Sequence, residues 1–287
     1  MQTPITRRRF SGLLAGALAL PLVPARAADD PFAAIEARIG GRLGVAILDT
    51  GSGESWARRD DERFPMCSTF KVLAAGAVLA RVDAGAEDLD EPVPIVAAEV
   101  VDYSPVTAKR VGGEMTLAEI CEAALTRSDN TAGNLLLKRI GGPAGLTAFA
   151  RTLEDRVTRL DRWETELNAA VPGDPRDTTT PEAMVDDLGA LLLGDRLSPL
   201  STERLTRWMR ANTTGDAKLR AGLPPGWQVA DKTGGGDHGA TADVAVLWPP
   251  TGDPLIVAVY IHESAAAFEA RNAAIADVAR LIPGLVA

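Results

Sequence analysis

The sequence predicts an α/β protein of the α+β sandwich type, in which an antiparallel sheet is flanked by helices and an all-helical domain is inserted between two parts of that sheet. Three observations predict it. Strand-like runs stand near the start, between Leu43 and Ala57, and return only near the end, between Trp227 and His262. From Ser68 to Arg210 the apolar spacing is helical, with glycine and proline punctuation and almost no strand signal. Helical patterns lie outside both strand groups, so the late strands would complete the sheet begun by the early ones. The expected divisions are an export signal over 1–27, an α/β domain from 28–62 and 211–287, and an all-helical domain over 63–210. With 287 residues, 46% of them hydrophobic, the chain can bury a sizeable core.

In chain order, Thr6-Arg7-Arg8-Arg9-Phe10 precedes an apolar run from Leu13 to Val23, and Ala25-Arg26-Ala27 follows as a small-x-small cleavage site. This resembles a twin-arginine export signal. The run is short for a membrane span and is broken by Pro21 and Pro24. The expectation is an exported, periplasmic or secreted protein with no stable membrane association after cleavage. Removing 1–27 takes away four arginines and no acid, so the formal charge moves from −9 to −13. An acidic chain without a basic stripe argues against a nucleic-acid partner.

Asp30-Pro31 reads as a cap and first helical position, with Phe32, Ile35 and Ile39 on one face. Leu43 to Asp49 and Glu54 to Ala57 read as a hairpin about Thr50-Gly51-Ser52-Gly53. Thr116-Leu117-Ala118-Glu119 has capping-box form, Asn130 to Ile140 is a helix closed by Gly141-Gly142, and Pro143 opens another. Thr179 or Thr180 before Pro181 opens a helix to Leu193, and Ser201 to Arg210 forms the next. Trp227 to Lys232, Thr241 to Trp248 and Leu255 to His262 are strands, with a turn expected at Gly234-Gly235-Gly236. A last helix carries Phe268, Ile275, Val278 and Ile282.

The chemistry concentrates at Ser68 and Lys71, which stand three apart at the head of an apolar helix. A serine hydroxyl is a poor nucleophile unless a base takes its proton, and free N–H groups at a helix start can face an oxyanion. Nine serines and five lysines make one such pair unsurprising, so the case rests on its company. Ser128-Asp129-Asn130 lies between two helices, where a cap alone needs one of the three. Lys232-Thr233-Gly234 ends a strand, where glycine would let a ligand approach the backbone. Glu164 and Asn168 sit in a long irregular loop from Asp161 to Thr178, a length that is often functional. Cys67 and Cys121 could pair in an oxidising compartment, but Cys121 shares a helical face with Leu117, Ile120 and Ala124 and reads as a buried free thiol. Those cysteines, with His238 and His262, lack metal-ligand spacing, so no metal or cofactor is expected.

Together and in this order, Ser68-x-x-Lys71, Ser128-Asp129-Asn130, Glu164-x-x-x-Asn168 and Lys232-Thr233-Gly234 resemble the class A serine β-lactamases across essentially the whole mature chain. The resemblance implies a monomeric hydrolase acting on small-molecule β-lactams. Ser68 would form the acyl-enzyme, with oxyanion donors from its own N–H and that of Gly235. Lys71 and Glu164 are the candidate acylation bases, a disputed choice in the family. Ser128 would protonate the departing nitrogen, Asn130 would hold the substrate's side-chain amide, and Lys232 and Thr233 would bind its carboxylate. Glu164, with Asn168, would activate the deacylating water. Arg162 and Asp177 match the pair that staples the loop, and Tyr103 matches the aromatic at the cleft mouth. Thr241 stands where many members place a carboxylate-supporting arginine, and Lys218 where others supply one from a preceding helical region. Carbapenem-hydrolysing relatives bridge the cysteine beside the nucleophile to a second cysteine, but that second position here is Gly236. The rivals are a D-alanyl-D-alanine carboxypeptidase or transpeptidase, against which Glu164 and Asn168 count, and a non-catalytic β-lactam receptor.

Overall fold

The computed structural model describes residues 30–286, so the export signal expected over 1–27 lies outside the described residues. Helix α1 spans Ala33–Ile39. It starts later than expected, because the Asp30 carboxylate accepts the Phe32 N–H at 2.9 Å and caps a turn ahead of the helix. Strand β1 (Arg42–Asp49) forms a hairpin with β2 (Ser55–Arg58), placing Ile47 opposite Trp56. The chain then enters its helical middle: α2 (Phe70–Asp83), α3 (Leu117–Thr126), α4 (Asn130–Ile140), α5 (Gly142–Thr152), α6 (Pro181–Leu192) and α7 (Pro199–Arg210). Strands β3 (Gln228–Gly235), β4 (Thr241–Trp248) and β5 (Leu255–His262) precede the terminal helix α8 (Phe268–Leu285).

The five strands form one antiparallel sheet in the order β2-β1-β5-β4-β3. The early hairpin therefore joins the late strands through β1 and β5, with Val45 opposite Val259. Because successive side chains leave a strand on opposite faces, each face is apolar by alternation. Leu43, Val45, Ile47, Val257, Val259 and Ile261 pack with Phe32, Ile35, Ile275 and Val278 of the terminal helices and their approach. Ala46, Val244, Val246, Ile256, Ala258 and Tyr260 face the helical middle. Helix α2 is buried on nearly every side from Phe70 to Leu79, as expected of a helix at the centre of a bundle.

Two further boundaries differ from the sequence reading. Helix α7 begins at Pro199, not Ser201, because Ser198 is its cap, accepting the Ser201 N–H at 3.3 Å. Strand β3 does not stop at Lys232; its pairing continues until Gly235 lies opposite Thr241. The middle also contains two short ribbons, Phe64–Pro65 with Thr178–Thr179 and Pro92–Pro94 with Glu114–Thr116, too short for a period to show.

Glu36 of α1 ties the helix to the sheet. Its carboxylate accepts the Leu43 N–H at 3.0 Å and Arg59 Nε at 2.7 Å, and it also pairs with Arg58. Burial alone would raise this carboxyl, but the Arg59 and Arg58 hydrogen bonds and the Leu43 amide outweigh it and bring the pKa down from 4.5 to about 2. A carboxyl depressed by folding stabilises the protein above its unfolded pKa, and that contribution is lost as pH falls through the folded value. Glu36→Gln should therefore lower the urea midpoint at pH 7, and the gap from the parent should close between pH 4.5 and about 2.

Candidate active site

Ser68 sits in a single 3₁₀ turn, Cys67–Thr69, that leads into α2. Three-residue spacing in such a turn brings Ser68 and Lys71 together. Lys71 is fully buried, and its Nζ lies 2.8 Å from Ser68 Oγ, 2.9 Å from the Ser128 carbonyl, 2.7 Å from Asn130 Oδ1 and 2.9 Å from Glu164 Oε1. Four oxygens thus surround a nitrogen that has three hydrogens when charged. Burial pushes the Lys71 pKa below its ordinary value, and the Glu164 carboxylate opposes that fall. The Ser68 hydroxyl is also 3.3 Å from Glu164 Oε1, so both groups reach its proton.

Ser128 and Asn130 are presented where α3 passes into α4. Asp129 between them caps α4 through the Ala132 N–H and also accepts from the Val106 and Thr107 amides and the Thr107 hydroxyl. One buried carboxylate thereby fixes the loop that carries Tyr103 against the helix start. Asn130 Nδ2 donates to the Asp102 carbonyl at 2.9 Å, which leaves its second N–H for a ligand. Tyr103, whose own carbonyl accepts the Asn130 N–H, is 62% exposed.

Lys232 projects from β3 and is fully buried; its Nζ donates to Ser128 Oγ at 2.9 Å and to the Thr233 carbonyl at 2.8 Å. Burial drives its pKa well down and the charge of Lys71 pushes the same way, against Asp231, Asp243 and Glu164. Thr233 Oγ1 lies 2.5 Å from Thr214 Oγ1. The glycines that follow divide their work differently from expectation. A Cβ on Gly234 would meet the Met66 carbonyl at 2.8 Å, so this glycine admits the protein's own backbone. Gly235 has nothing within 4 Å of that position and faces open space.

The 161–178 loop is closed at its base by Asp177, which is 1% exposed. Its carboxylate accepts Arg162 Nε at 2.5 Å and the amides of Asp161 and Arg162 at 2.7 and 2.9 Å. Asn134 of α4 clamps the Glu164 backbone on both sides, accepting its N–H at 2.9 Å and donating to its carbonyl at 3.0 Å. Asn168 Nδ2 donates to Glu164 Oε2 at 2.5 Å, while Asn168 Oδ1 is buried without a partner among the described residues.

Hydrogen bonds and ion pairs thus join Ser68, Lys71, Ser128, Asn130, Glu164, Asn168 and Lys232, while Cys121 lies apart in the helical core; several partners carry no sequence signal. Asn134 carried no motif. Arg271 was read only as part of a terminal helix, yet its Nε donates to Thr241 Oγ1 at 2.8 Å, one cross-strand step from Gly235. Lys218 is buried, with Nζ 5.2 Å from the centre of the Phe268 ring; the Arg271 guanidinium lies 5.8 Å from the same ring. Cys67 and Cys121 are both buried free thiols; burial raises both, Cys121 to about 12. Among the described residues no cluster of metal-ligating side chains occurs.

With this geometry in view, comparison with known proteins defines the class. Residues 27–284 match the β-lactamase enzyme family. The chain is 54% identical to β-lactamase FAR-1 of Nocardia farcinica over 251 residues, covering 88% of this chain and 80% of the relative. It is 48% identical to β-lactamase CTX-M-8 of Citrobacter amalonaticus, covering 88% of this chain and 86% of that one. A solved class A β-lactamase described as the last common ancestor of Gram-negative bacteria superposes with a TM-score of 0.88 at 61% identity, covering 89% of this chain and 98% of that one. The chain belongs to the β-lactamase family, in class A. Its activity is that of a β-lactam hydrolase, with the antibiotic resistance such hydrolysis brings.

Removing the carboxylate of Asp177 would leave the Arg162 guanidinium, only 15% exposed, and two amides without their acceptor. Asp177→Ala should cost about 3 kcal/mol, the order expected when one partner of a largely buried ion pair is deleted. A urea titration of both proteins measures it, and an unchanged midpoint would mean that the pair does not hold the loop.

Proposed function

We propose that this enzyme opens the β-lactam amide through an ester on Ser68 and releases the product with water activated by Glu164. The observation that carries the reading is the position of Lys71 Nζ, 2.8 Å from Ser68 Oγ and 2.9 Å from Glu164 Oε1, with Asn168 on the other carboxylate oxygen. As Ser68 Oγ bonds to the lactam carbonyl carbon, its proton passes to the Lys71–Glu164 pair. The developing oxyanion is met by the N–H groups of Ser68 and Gly235. The C–N bond then breaks, and Ser128, held by Lys232, gives its hydroxyl proton to the departing nitrogen and is reprotonated from Lys71. In the second half Glu164 takes a proton from water held between it and Asn168 Oδ1, the hydroxide attacks the ester, and Ser68 regains its hydrogen.

Binding is assigned in the same way. The free N–H of Asn130 takes the substrate's side-chain amide carbonyl, and Lys232 and Thr233 take its carboxylate, with Gly234 letting their strand lie close to the nucleophile's turn. Tyr103 covers the mouth. Arg271, seated on Thr241, supplies the support that an arginine at that strand position gives in other members. The division into an α/β domain of 28–62 with 211–287 and a helical domain of 63–210 is supported by the run of helices α2 to α7 between the two strand groups. Residues 1–27 would export the chain by the twin-arginine route to act as a periplasmic or secreted monomer. No helix among the described residues is long and apolar enough to cross a membrane.

Steady-state hydrolysis of a chromogenic cephalosporin, followed together with intact mass, tests the chemistry. Ser68→Ala should lose turnover, and Glu164→Ala should accumulate the acyl-enzyme; near-parental turnover by Glu164→Ala would remove it from the deacylating role. Arg271→Ala should raise KM about tenfold with little change in kcat, as expected when one charge-assisted contact common to bound substrate and transition state is lost. An unchanged KM would return carboxylate binding to Lys232 and Thr233 alone.

A further inference from the structure

His262 ends β5 and is 2% exposed. Its Nε2 lies 2.7 Å from the Ala170 carbonyl oxygen. A carbonyl can only accept, so Nε2 carries the hydrogen, and in the neutral ring Nδ1 is a bare acceptor. That Nδ1 is buried and has no hydrogen-bond partner among the described residues. The charged and titratable groups bearing on the ring are Glu263, whose Oε1 is 3.5 Å from Nδ1, Arg42, which is 3.5 Å from the same oxygen, and His238. Burial holds the ring below the ordinary histidine range, although the Ala170 bond and Glu263 oppose it. Burial favours the neutral ring, in which the hydrogen on Nε2 makes this contact.

An imidazole with one nitrogen unsatisfied is a costly way to fill a strand end, since an apolar side chain carries no such penalty. What the ring provides in return is one hydrogen bond, at a critical carbonyl. Ala170 ends the turn Glu166–Ala169 in the left-handed region, with φ 44° and ψ 43°, where a residue other than glycine needs outside support. It packs with Cys67, the neighbour of Ser68, and with Ala240. Two residues earlier, Asn168 donates to Glu164, and its carbonyl accepts the Asp237 N–H at 2.9 Å. The turn that presents Asn168 is thus pinned to the sheet on either side, by Asp237 and by His262.

We infer that His262 is a positioning residue for deacylation: its Nε2–H holds the Ala170 carbonyl so that the Asn168 amide stays on Glu164. This rests on the roles of Glu164 and Asn168 proposed above. Lys71, Ser128 and Asn130 are held by other elements, and Asn134 holds the Glu164 backbone, so Glu164 Oε1 stays on Lys71 and Ser68 for acylation while this bond governs the Asn168 side of the carboxylate that deacylation uses.

The test compares His262→Phe, which fills the space without a donor, with His262→Gln, whose amide N–H reaches toward the place of Nε2, and His262→Asn, which is too short to do so. Pre-steady-state absorbance with a chromogenic cephalosporin gives acylation, decay of the acyl-enzyme by intact mass gives deacylation, and thermal unfolding fixes a temperature at which each variant is folded. His262→Phe and His262→Asn should slow deacylation about tenfold, the order expected when a catalytic group is displaced by a fraction of an ångström, and leave acylation within about twofold. His262→Gln should recover most of the loss. Should His262→Phe not fold, the Gln and Asn variants decide the matter alone. Parental deacylation in the donor-less variants, equal slowing of both steps, or failure of His262→Gln to recover would overturn the inference. Glu164→Ala, measured alongside, separates the two failures. If it stalls while the His262 variants do not, only the role of His262 falls; if it deacylates normally, the proposed mechanism falls and the inference with it.

Discussion

A fully buried lysine amine is the constraint to which the rest of this structure answers. Lys71 leaves water at the head of the most enclosed helix, and a charge there is tolerable only where oxygens replace the lost hydration. Those oxygens come from three separate stretches: Ser68 on its own turn, the Ser128 carbonyl and Asn130 amide at the start of α4, and Glu164 from the 161–178 loop. Satisfying one nitrogen therefore brings Ser68, Asn130 and Glu164 together. A second buried lysine, Lys232, approaches from the sheet and supplies the repulsion that a lone carboxylate partner would not.

The sheet contributes by being close. Gly234 lets β3 reach the Met66 carbonyl, immediately before the turn that holds Ser68, so a strand from the end of the chain lies against a helix from its first third. Hydrogen bonds from Asp237 to Asn168 and from His262 to Ala170 extend that contact along the loop. The cleft is thereby walled by elements far apart in sequence, each locked by side chains that do no chemistry themselves. Asp129, Asn134 and Asp177 belong to this group.

How much of this could be read beforehand follows from how local each signal is. Helix α4 showed both ends, because the Asp129 cap and the left-handed Gly141 are short-range devices. Strands β4 and β5 were also clear, since each is an eight-residue apolar run bounded by turn residues. The end of β3 was misplaced because three glycines read as a turn, whereas pairing with β4 keeps two of them extended. Ser68, Lys71 and Lys232 stand out through their spacing and order, and the structure brings them within one hydrogen-bonded network. Arg271 and His262 do not stand out, because their partners, Thr241 and Ala170, lie 30 and 92 residues away and nothing in their immediate neighbours marks them. The sequence marks His262 only as the end of a strand, without metal-ligand spacing.

Gly236 bears on how such an enzyme can change. A side-chain carbon there would stand 2.6 Å from the Asn168 carbonyl oxygen and 2.8 Å from Cys67 Sγ. The rim of the cleft and the turn behind Glu164 thus share a single layer of atoms. Any side chain at this position must displace the very peptide that carries Asn168. On the role proposed for Asn168, any side chain at that residue trades space at the rim against the geometry of deacylation, unless the 161–178 loop shifts to make room.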